Sequence, residues 1–179
     1  MQSSPSPPDL SAPTVCKLRC VTLSLPVRNI EPAAAHAVLM AAYEIEARLI
    51  RATRFPPLER TVEDMAQSET DLLGMREGDE VIGVVEIKRP SAAASSSETS
   101  PTEICSLGVR PTHFRCGVAR GLVRHVIQHY EPPFYVTTGA RNAPAIALYE
   151  SSGFAIAREH RSREGIPLVD LQRLEGRNR

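Results

Sequence analysis

The 179-residue sequence predicts an α/β domain, because strand-like and helix-like segments alternate along its second half. An apolar, partly β-branched run at 104–109 is followed by helical spacing of apolar residues over 117–130. A second strand at 134–138 precedes a short helix over 143–151, and Gly153 fits the left-handed position that ends such a helix. A chain of this length suits one domain whose core is stable without disulfides.

The composition excludes several classes of partner. Hydrophobic residues make up 42% of the sequence, charged residues 23%, and the formal net charge is zero, so nucleic acid is not expected as a partner. No apolar stretch approaches the roughly 20 residues that span a membrane. Residues 1–15 lack the pattern of a signal peptide, and their Ser/Pro content predicts a disordered leader before a single domain at 16–176. We therefore expect a cytoplasmic protein.

Four cysteines are present, at Cys16, Cys20, Cys105 and Cys116. They show no paired Cys-x-x-Cys spacing, which favours free thiols in a reducing compartment over disulfides. Cys116 precedes a predicted helix start, where a thiol pKa can fall, and we leave open whether it is reactive or a plain loop residue. His125 and His129 share one helix face without an acidic or cysteine partner in sequence, so no metal site is predicted.

The first half of the chain predicts strands and helices in alternation as well. A strand at 20–27 is followed by a helix that begins at Pro32, where proline suits the first helical position. The apolar stripe of this helix is predicted to comprise Ala35, Val38, Leu39, Ala42, Ile45 and Leu49. The segment 53–60 cannot be a regular helix because of its two prolines, and a second helix begins at Thr61, which forms a capping box with Asp64.

A hairpin and two closing strands complete the predicted sheet. Strands at 71–76 and 80–88 flank a Glu-Gly-Asp turn. The low-complexity segment 89–102 predicts a flexible loop between strands rather than a domain boundary. Strands at 155–159 and 167–174 follow the second helical unit.

The connection between residue 109 and the helix over 117–130 predicts an anion site. Pro111 ends the strand, and a helix that begins after Gly117 leaves several backbone N–H groups unpaired and directed outward. The helix dipole favours a phosphate there by roughly 0.3–1 kcal/mol per contact. Arg110, Arg115 and Arg120 add positive charge. An ordinary strand-to-helix connection remains the alternative for this stretch alone.

A second stretch makes the interpretation specific. Residues 142–154 carry Asn142, Ala145, Leu148, Tyr149, Glu150, Gly153 and Phe154 in an N-x-x-A-x-x-L-Y-E-x-x-G-F pattern. Together with Leu107-Gly108-Val109-Arg110-Pro111 and Gly117-Val118-Ala119, this pattern resembles the GNAT superfamily of acyl-CoA-dependent N-acetyltransferases. The matched positions cover about 45 residues of the chain. One departure is Phe114, where the family usually has Gln or Arg; an arginine follows at Arg115.

The resemblance implies a central mixed, mostly antiparallel sheet of about six or seven strands, flanked by about four helices. It also implies that the strands at 103–109 and 134–138 splay apart to admit acetyl-CoA as co-substrate. The implied binding residues are Leu107, Gly108, Val109, Arg115, Cys116, Gly117, Val118, Ala119, Arg120, Asn142 and Ala145. The backbone of Leu107 and Val109 would pair with the pantetheine arm, and the segment 53–60 would border the acceptor.

Three residues are candidates for the proton transfers that the resemblance implies. Tyr149 would act as general acid toward the departing thiolate, although it could instead be a packing residue on its short helix. The acceptor amine, at a pKa of about 10.4, is mostly protonated at pH 7 and needs a base. Glu103 and Glu86 are the candidates, with Glu103 slightly preferred. Asn142 would orient the cofactor arm or would only cap its helix.

The predicted function is transfer of an acetyl group from acetyl-CoA to a primary amine of a small molecule or peptide, with a homodimer possible. The alternative is a catalytically silent acyl-CoA-binding module on the same fold, supported by Phe114 and by the undecided base. An acetyltransferase acting on charged tRNA would need a basic face, which a neutral chain does not indicate.

Overall fold

The computed structural model describes residues 25–90 and 100–174 of the chain. The predicted leader at 1–15, the start of the predicted first strand and most of the predicted loop at 89–102 lie outside these residues. Within the described ranges, no helix is both long enough and apolar enough to cross a membrane.

Seven strands form one sheet in the order β1-β2-β3-β4-β5-β7-β6. They are β1 (Val27–Asn29), β2 (Asp71–Glu77), β3 (Glu80–Lys88), β4 (Thr102–Val109), β5 (Phe134–Gly139), β6 (Ala155–Arg161) and β7 (Pro167–Arg173). Only β4 and β5 pair in parallel; the other five neighbouring pairs are antiparallel. The predicted mixed, mostly antiparallel sheet is thereby confirmed.

In the part of the chain that the structure describes, four α-helices accompany the sheet: α1 (Pro32–Ile50), α2 (Val62–Gln67), α3 (Val118–His129) and α4 (Ala143–Glu150). Short 3₁₀ turns occupy Pro56–Glu59 and Pro111–His113. The predicted capping box is present, because the Asp64 backbone N–H donates to Thr61 Oγ1 at 3.1 Å and the Thr61 backbone N–H donates to the Asp64 carboxylate at 2.8 Å. Gly153 has the positive φ of 86° that its helix-ending position requires.

Helices α1 and α3 cover opposite faces of the sheet. Gly108 of β4 lies against Leu39 of α1, whereas Gly83 of β3 lies against Val118 and Leu122 of α3. A side chain at either glycine would collide with the helix above it, so both glycines allow close packing. The buried apolar residues accordingly divide into two clusters, one containing the α1 residues and the other the α3 residues.

The sheet opens between β4 and β5. The two strands pair only at Thr102↔Phe134, Glu103↔Tyr135 and Ile104↔Val136, and beyond Ile104 β4 has no registered partner on that side. On its other side β4 stays paired with β3 as far as Val109. This separation is the splay that the sequence predicts, at the predicted pair of strands.

The boundaries of β1 and β4 differ from the prediction. Strand β1 begins only at Val27, where the predicted strand ends, and runs to Asn29, whereas β4 begins at Thr102, which the prediction places in the loop. Thr102 is fully buried, and its hydroxyl donates to the Glu131 carbonyl at 2.5 Å. The buried face of α1 also differs from the predicted apolar stripe near the C-terminal end of the helix. Leu49, a predicted member, is 45% exposed, whereas Tyr43 and Ile50 are buried.

Candidate active site

A cleft of about 280 Å³ occupies the gap between β4 and β5. Strand β4 contributes residues 104–107 and β5 contributes residues 136–139. The remaining walls come from α1, from α4, from residues 55–57 and from the segment 162–168. Since Tyr43 belongs to the cluster under α1 and Tyr149 to the cluster under α3, the cleft connects the two faces of the sheet.

Tyr149 lines the cleft from α4 and is 3% exposed. Its ring packs edge-on against Phe154 with centroids 5.4 Å apart, which fixes its orientation. Its hydroxyl has no hydrogen-bond partner among residues 25–90 and 100–174. Burial, followed by the nearby Glu46 and Tyr43, raises the pKa of Tyr149, so the hydroxyl stays protonated across the physiological range. Tyr149 is therefore a packing residue and also a protonated donor that faces the cleft.

Asn142 joins α4 to α1. Its side-chain oxygen accepts from the Ala145 backbone N–H at 3.2 Å and so caps α4. Its side-chain nitrogen donates to Glu46 Oε1 of α1 at 2.9 Å. Asn142 and Ala145 both line the cleft. The capping role that the sequence left open is thus present, and a second role in holding Glu46 accompanies it.

Glu46 is a cleft residue that the sequence reasoning missed. It lies on α1, lines the cleft and makes no ion pair in the described part of the chain. Burial raises the pKa of Glu46 despite the hydrogen bond from Asn142. One turn earlier, Tyr43 also lines the cleft, and burial raises its pKa to about 12.

The exposed edge of β4 presents backbone groups to the cleft. The Arg110 N–H donates to the Ile82 carbonyl at 2.8 Å, which sets the hydrogen-bonding parity of β4 against β3. Because alternate residues of an antiparallel strand point their N–H and C=O groups to opposite edges, those of Leu107 and Val109 point away from β3. Leu107 lines the cleft. A ligand in the cleft can therefore pair with β4 as an added strand would.

The start of α3 supplies unpaired backbone donors. Gly117, at φ 85°, precedes the first helical residue, Val118, and no side chain caps this helix start. Arg115 also has a positive φ of 64°, so two residues of this connection adopt a left-handed conformation. Arg115 and Arg120 are exposed, while Arg110 pairs with Glu80 at 2.9 Å. N–H groups and positive charge therefore converge here, as an anion site requires.

The other predicted cofactor residues have mixed positions. Ala119 and Cys116 are partly exposed in this segment, whereas the Val118 side chain is buried. Val109 packs in the core, so only its backbone faces the open edge of β4. Gly108 is directed at Leu39 of α1, which makes it a packing residue rather than a cleft residue. Phe114, at the family departure, is 40% exposed.

Glu86 belongs to a buried polar network rather than to the cleft wall. It is 1% exposed, and Arg60 donates to both of its carboxylate oxygens, at 2.5 and 2.7 Å. Thr70 and Ser106 donate to it at 2.8 Å each. Burial alone would raise the pKa of Glu86, but these hydrogen bonds outweigh it and hold that pKa below its usual value. Such a carboxylate is a weak base.

Glu103, the preferred candidate base, lies at the closed end of the splay. It stands opposite Tyr135 of β5 and Lys88 of β3, where the strands are still paired. It is not among the described residues that line the cleft. The structure therefore brings together Tyr149, Asn142, Ala145 and Leu107, and it does not bring Glu103 to them.

Comparison with known proteins agrees with this geometry. The model of the acetyltransferase (GNAT) family matches residues 39–154. A curated relative, the UPF0157 protein YqkA of Bacillus subtilis (strain 168), is 31% identical over 134 residues, which are 74% of this chain and 37% of that protein. The chain thus spans little more than a third of the length of this relative.

Solved structures show the same fold. The ribosomal-protein-S18-alanine N-acetyltransferase from Escherichia coli superposes with a TM-score of 0.62 at 20% identity, over 86% of this chain and 97% of that one. The PaiA N-acetyltransferase from Thermoplasma acidophilum, in complex with coenzyme A, gives a TM-score of 0.62 at 11% identity, over 82% and 98%. At these identities the likeness concerns the fold alone.

The chain belongs to the acetyltransferase (GNAT) family. Acetyl-CoA is the co-substrate that the resemblance of its two motifs implied. The described residues fit this co-substrate in chemical character. The cleft suits its thioester, the exposed edge of β4 suits its amide-containing arm, and the uncapped start of α3 suits its diphosphate.

Proposed function

We propose that the protein is an N-acetyltransferase that acetylates a primary amine, with Tyr149 as the acid and Glu46 as the proton acceptor. The observation that carries this proposal is the meeting of both groups in one cleft through the sheet. Tyr149 is protonated and unpartnered there, and Glu46 is held by Asn142 without an ion pair.

The two substrates enter from opposite faces of the sheet. Bound acetyl-CoA supplies an acetyl group activated as a thioester. The start of α3 holds its diphosphate through backbone N–H groups, with Arg115 and Arg120 adding charge. The carbonyl of Leu107 and the N–H of Val109 hold its arm along β4. The face under α1, where Tyr43 and Glu46 lie, is left for the acceptor.

The backbone and side chains of the cleft then divide the chemistry. The N–H of Leu107 stabilises the negative charge that develops on the carbonyl oxygen. A new C–N bond forms and the C–S bond breaks. Tyr149 donates its hydrogen bond to the sulfur as charge develops on it. Because burial holds the pKa of Tyr149 above the thiol value of about 8.5, stabilisation of the charge is the larger part of its role.

Glu46 replaces the base candidates suggested by sequence. An acceptor ammonium loses two protons overall: one ends on the thiol of coenzyme A, and Glu46 passes the other to water. Because its pKa is raised, Glu46 is a stronger base than an ordinary glutamate and is closer in basicity to the amine. Its position on the cleft wall gives it access to the acceptor. Glu86 is neutralised by Arg60, and Glu103 lies where β4 and β5 are closed.

The test is the substitution Tyr149→Phe, with turnover measured as release of free coenzyme A in the presence of an amine. We expect turnover to fall ten-fold or more, equivalent to about 1.4 kcal/mol in the barrier, while acetyl-CoA affinity changes little. Tyr135→Phe is the matched control, because Tyr135 is a β5 residue outside the cleft lining. Turnover of Tyr149→Phe equal to that of the wild type across pH 7–9 would remove Tyr149 from the mechanism.

A further inference from the structure

The charge of the cleft wall restricts which amines can enter. Among the described residues that line the cleft, the carboxylates are Glu46 and Glu164, and none is arginine, lysine or histidine. An acceptor that carries a carboxylate or phosphate would therefore lose its hydration without gaining a counter-charge. An acceptor that is wholly cationic meets two negative groups instead.

Hydrogen bonds hold the backbone of the turn that carries Glu164. The Ser162 side chain accepts from the backbone N–H groups of Glu164 and Ile166, each at 3.2 Å. The Ser162 backbone N–H donates to the Ile166 carbonyl at 2.9 Å, and the Gly165 N–H donates to the Ser162 carbonyl at the same distance. The Glu164 side chain itself has no ion pair within the described ranges. Arg54 interacts with Glu164 electrostatically, but its guanidinium is already bound by both carboxylate oxygens of Glu59.

The wall near these carboxylates is apolar. Pro56 and Pro57 line it together with Ile166 and Leu168. Phe55 adds a ring packed edge-on against Tyr43, with centroids 5.7 Å apart. Such walls suit methylene groups, and aromatic faces also attract ammonium groups.

The unpartnered hydroxyl of Tyr149 marks where the reaction occurs in the same cleft. Tyr149 is 3% exposed, and Glu46 is among the charges that act on it. The reacting end of the acceptor therefore belongs beside Glu46 and Tyr149. Glu164 lies in an exposed turn and remains available to a second group on the acceptor.

We propose that the acceptor is a small aliphatic diamine or polyamine, whose reacting amine lies at Glu46 and whose second ammonium pairs with Glu164. This proposal rests on the proposed acetyl transfer in the cleft and adds the substrate class. A cavity of about 280 Å³, shared with the acetyl-bearing arm, has room for a linear alkyl chain.

Three amines of equal length that differ only in the far group test the proposal: 1,5-diaminopentane, hexan-1-amine and 6-aminohexanoate. We expect kcat/KM for the diamine to exceed that of the monoamine about five-fold and that of the amino acid ten-fold or more, the range of an exposed ion pair. The diamine preference should shrink as ionic strength rises. An apolar wall without a charge requirement would favour the monoamine instead.

Variants identify the residue responsible. Glu164→Gln should reduce the ratio of kcat/KM for the diamine to kcat/KM for hexan-1-amine to less than two-fold. Glu159→Gln, an exposed change on β6, is the control and should keep the advantage.

The outcomes separate this proposal from the proposed function. If the protein acetylates none of the three amines and does not acetylate a lysine-containing peptide either, the proposed function is contradicted. Acetylation in which the monoamine equals or exceeds the diamine, or in which the peptide is the better acceptor, overturns the diamine proposal alone. An advantage that survives in Glu164→Gln overturns the role of Glu164.

Discussion

At the scale of single residues, the proposed site depends on Tyr149 and Glu46. Burial raises the pKa of both side chains, but the consequence differs between an acid and a base. For Tyr149 the raised pKa preserves the proton, so the hydroxyl remains a donor even in alkaline solution. For Glu46 the raised pKa increases basicity, at the expense of a larger protonated fraction in mildly acidic solution. Asn142 links the two by capping α4 and donating to Glu46.

The pH dependence of amine acetylation should report the Glu46 carboxylate. Its protonated form cannot accept a proton, so kcat/KM should fall as pH decreases through a midpoint above the ordinary glutamate pKa of 4.5. In Glu46→Gln, kcat/KM at pH 7 should drop at least ten-fold, and this limb should disappear from the pH profile. Tyr43 and Tyr149 also face Glu46, but both remain protonated over this range.

Glu44→Gln is the matched control for Glu46→Gln, because Glu44 lies on the same helix and its side chain is 63% exposed. It should leave the profile unchanged. A Glu46→Gln enzyme with the wild-type limb would assign the amine proton to another acceptor.

At the scale of elements, a buried network ties β3, β4 and the start of α2 together beneath the cleft. Arg60 precedes α2, Glu86 lies on β3, and Ser106 lies on β4 and also lines the cleft. Removing the Glu86 charge would leave the Arg60 guanidinium without its counter-ion. The network therefore supports the cleft floor without taking part in proton transfer.

The substitution Glu86→Gln should destabilise the fold by roughly 1–3 kcal/mol at pH 7, measured by urea unfolding. Because the folded-state pKa of Glu86 is lowered, its contribution is present above the unfolded glutamate pKa and is lost as pH falls through the folded value. The difference between wild type and variant should therefore shrink in acid.

The control is Glu80→Gln, which removes the more exposed partner of Arg110 and should change stability by less than about 1 kcal/mol. If Glu86→Gln proves no more harmful than this control, the Arg60 pair is not a structural support.

At the scale of the whole molecule, local signals predicted most of the strands and helices, and the resemblance of the two motifs to the GNAT superfamily predicted the mixed sheet and its splay. Pro111 begins the turn after β4, Gly117 precedes the first residue of α3, and Gly153 follows α4 with a positive φ, as the sequence predicts. Glu46, the proton acceptor that we propose, was missed for a different reason. Glu46 lies three residues after Tyr43 and four before Ile50, on the buried side of α1, and only the rotation of that helix against the sheet reveals it.

Strand parity explains why the sequence could not place Glu86 and Glu103 relative to the cleft. The register between β3 and β4 shifts after Glu86, which alters the facing of Glu103 relative to Ser106. An irregularity of this kind carries no clear signal in the sequence. The sequence could therefore place Glu86 and Glu103 on adjacent strands, but it could not predict whether either side chain reaches the cleft.

The measurement that most directly tests acetyl-CoA binding in the cleft is thermal unfolding with and without acetyl-CoA, in three proteins. At a hundred-fold excess over Kd, binding adds about 2.7 kcal/mol, which should raise the wild-type Tm by roughly 5–10 °C. Gly117→Asp places a carboxylate among the phosphate-binding N–H groups and should abolish the rise. Gly165→Asp, at a similar φ of 80° in the β6–β7 turn, should retain it. No rise in the wild type at millimolar acetyl-CoA, or an equal rise in Gly117→Asp, would contradict the assigned site.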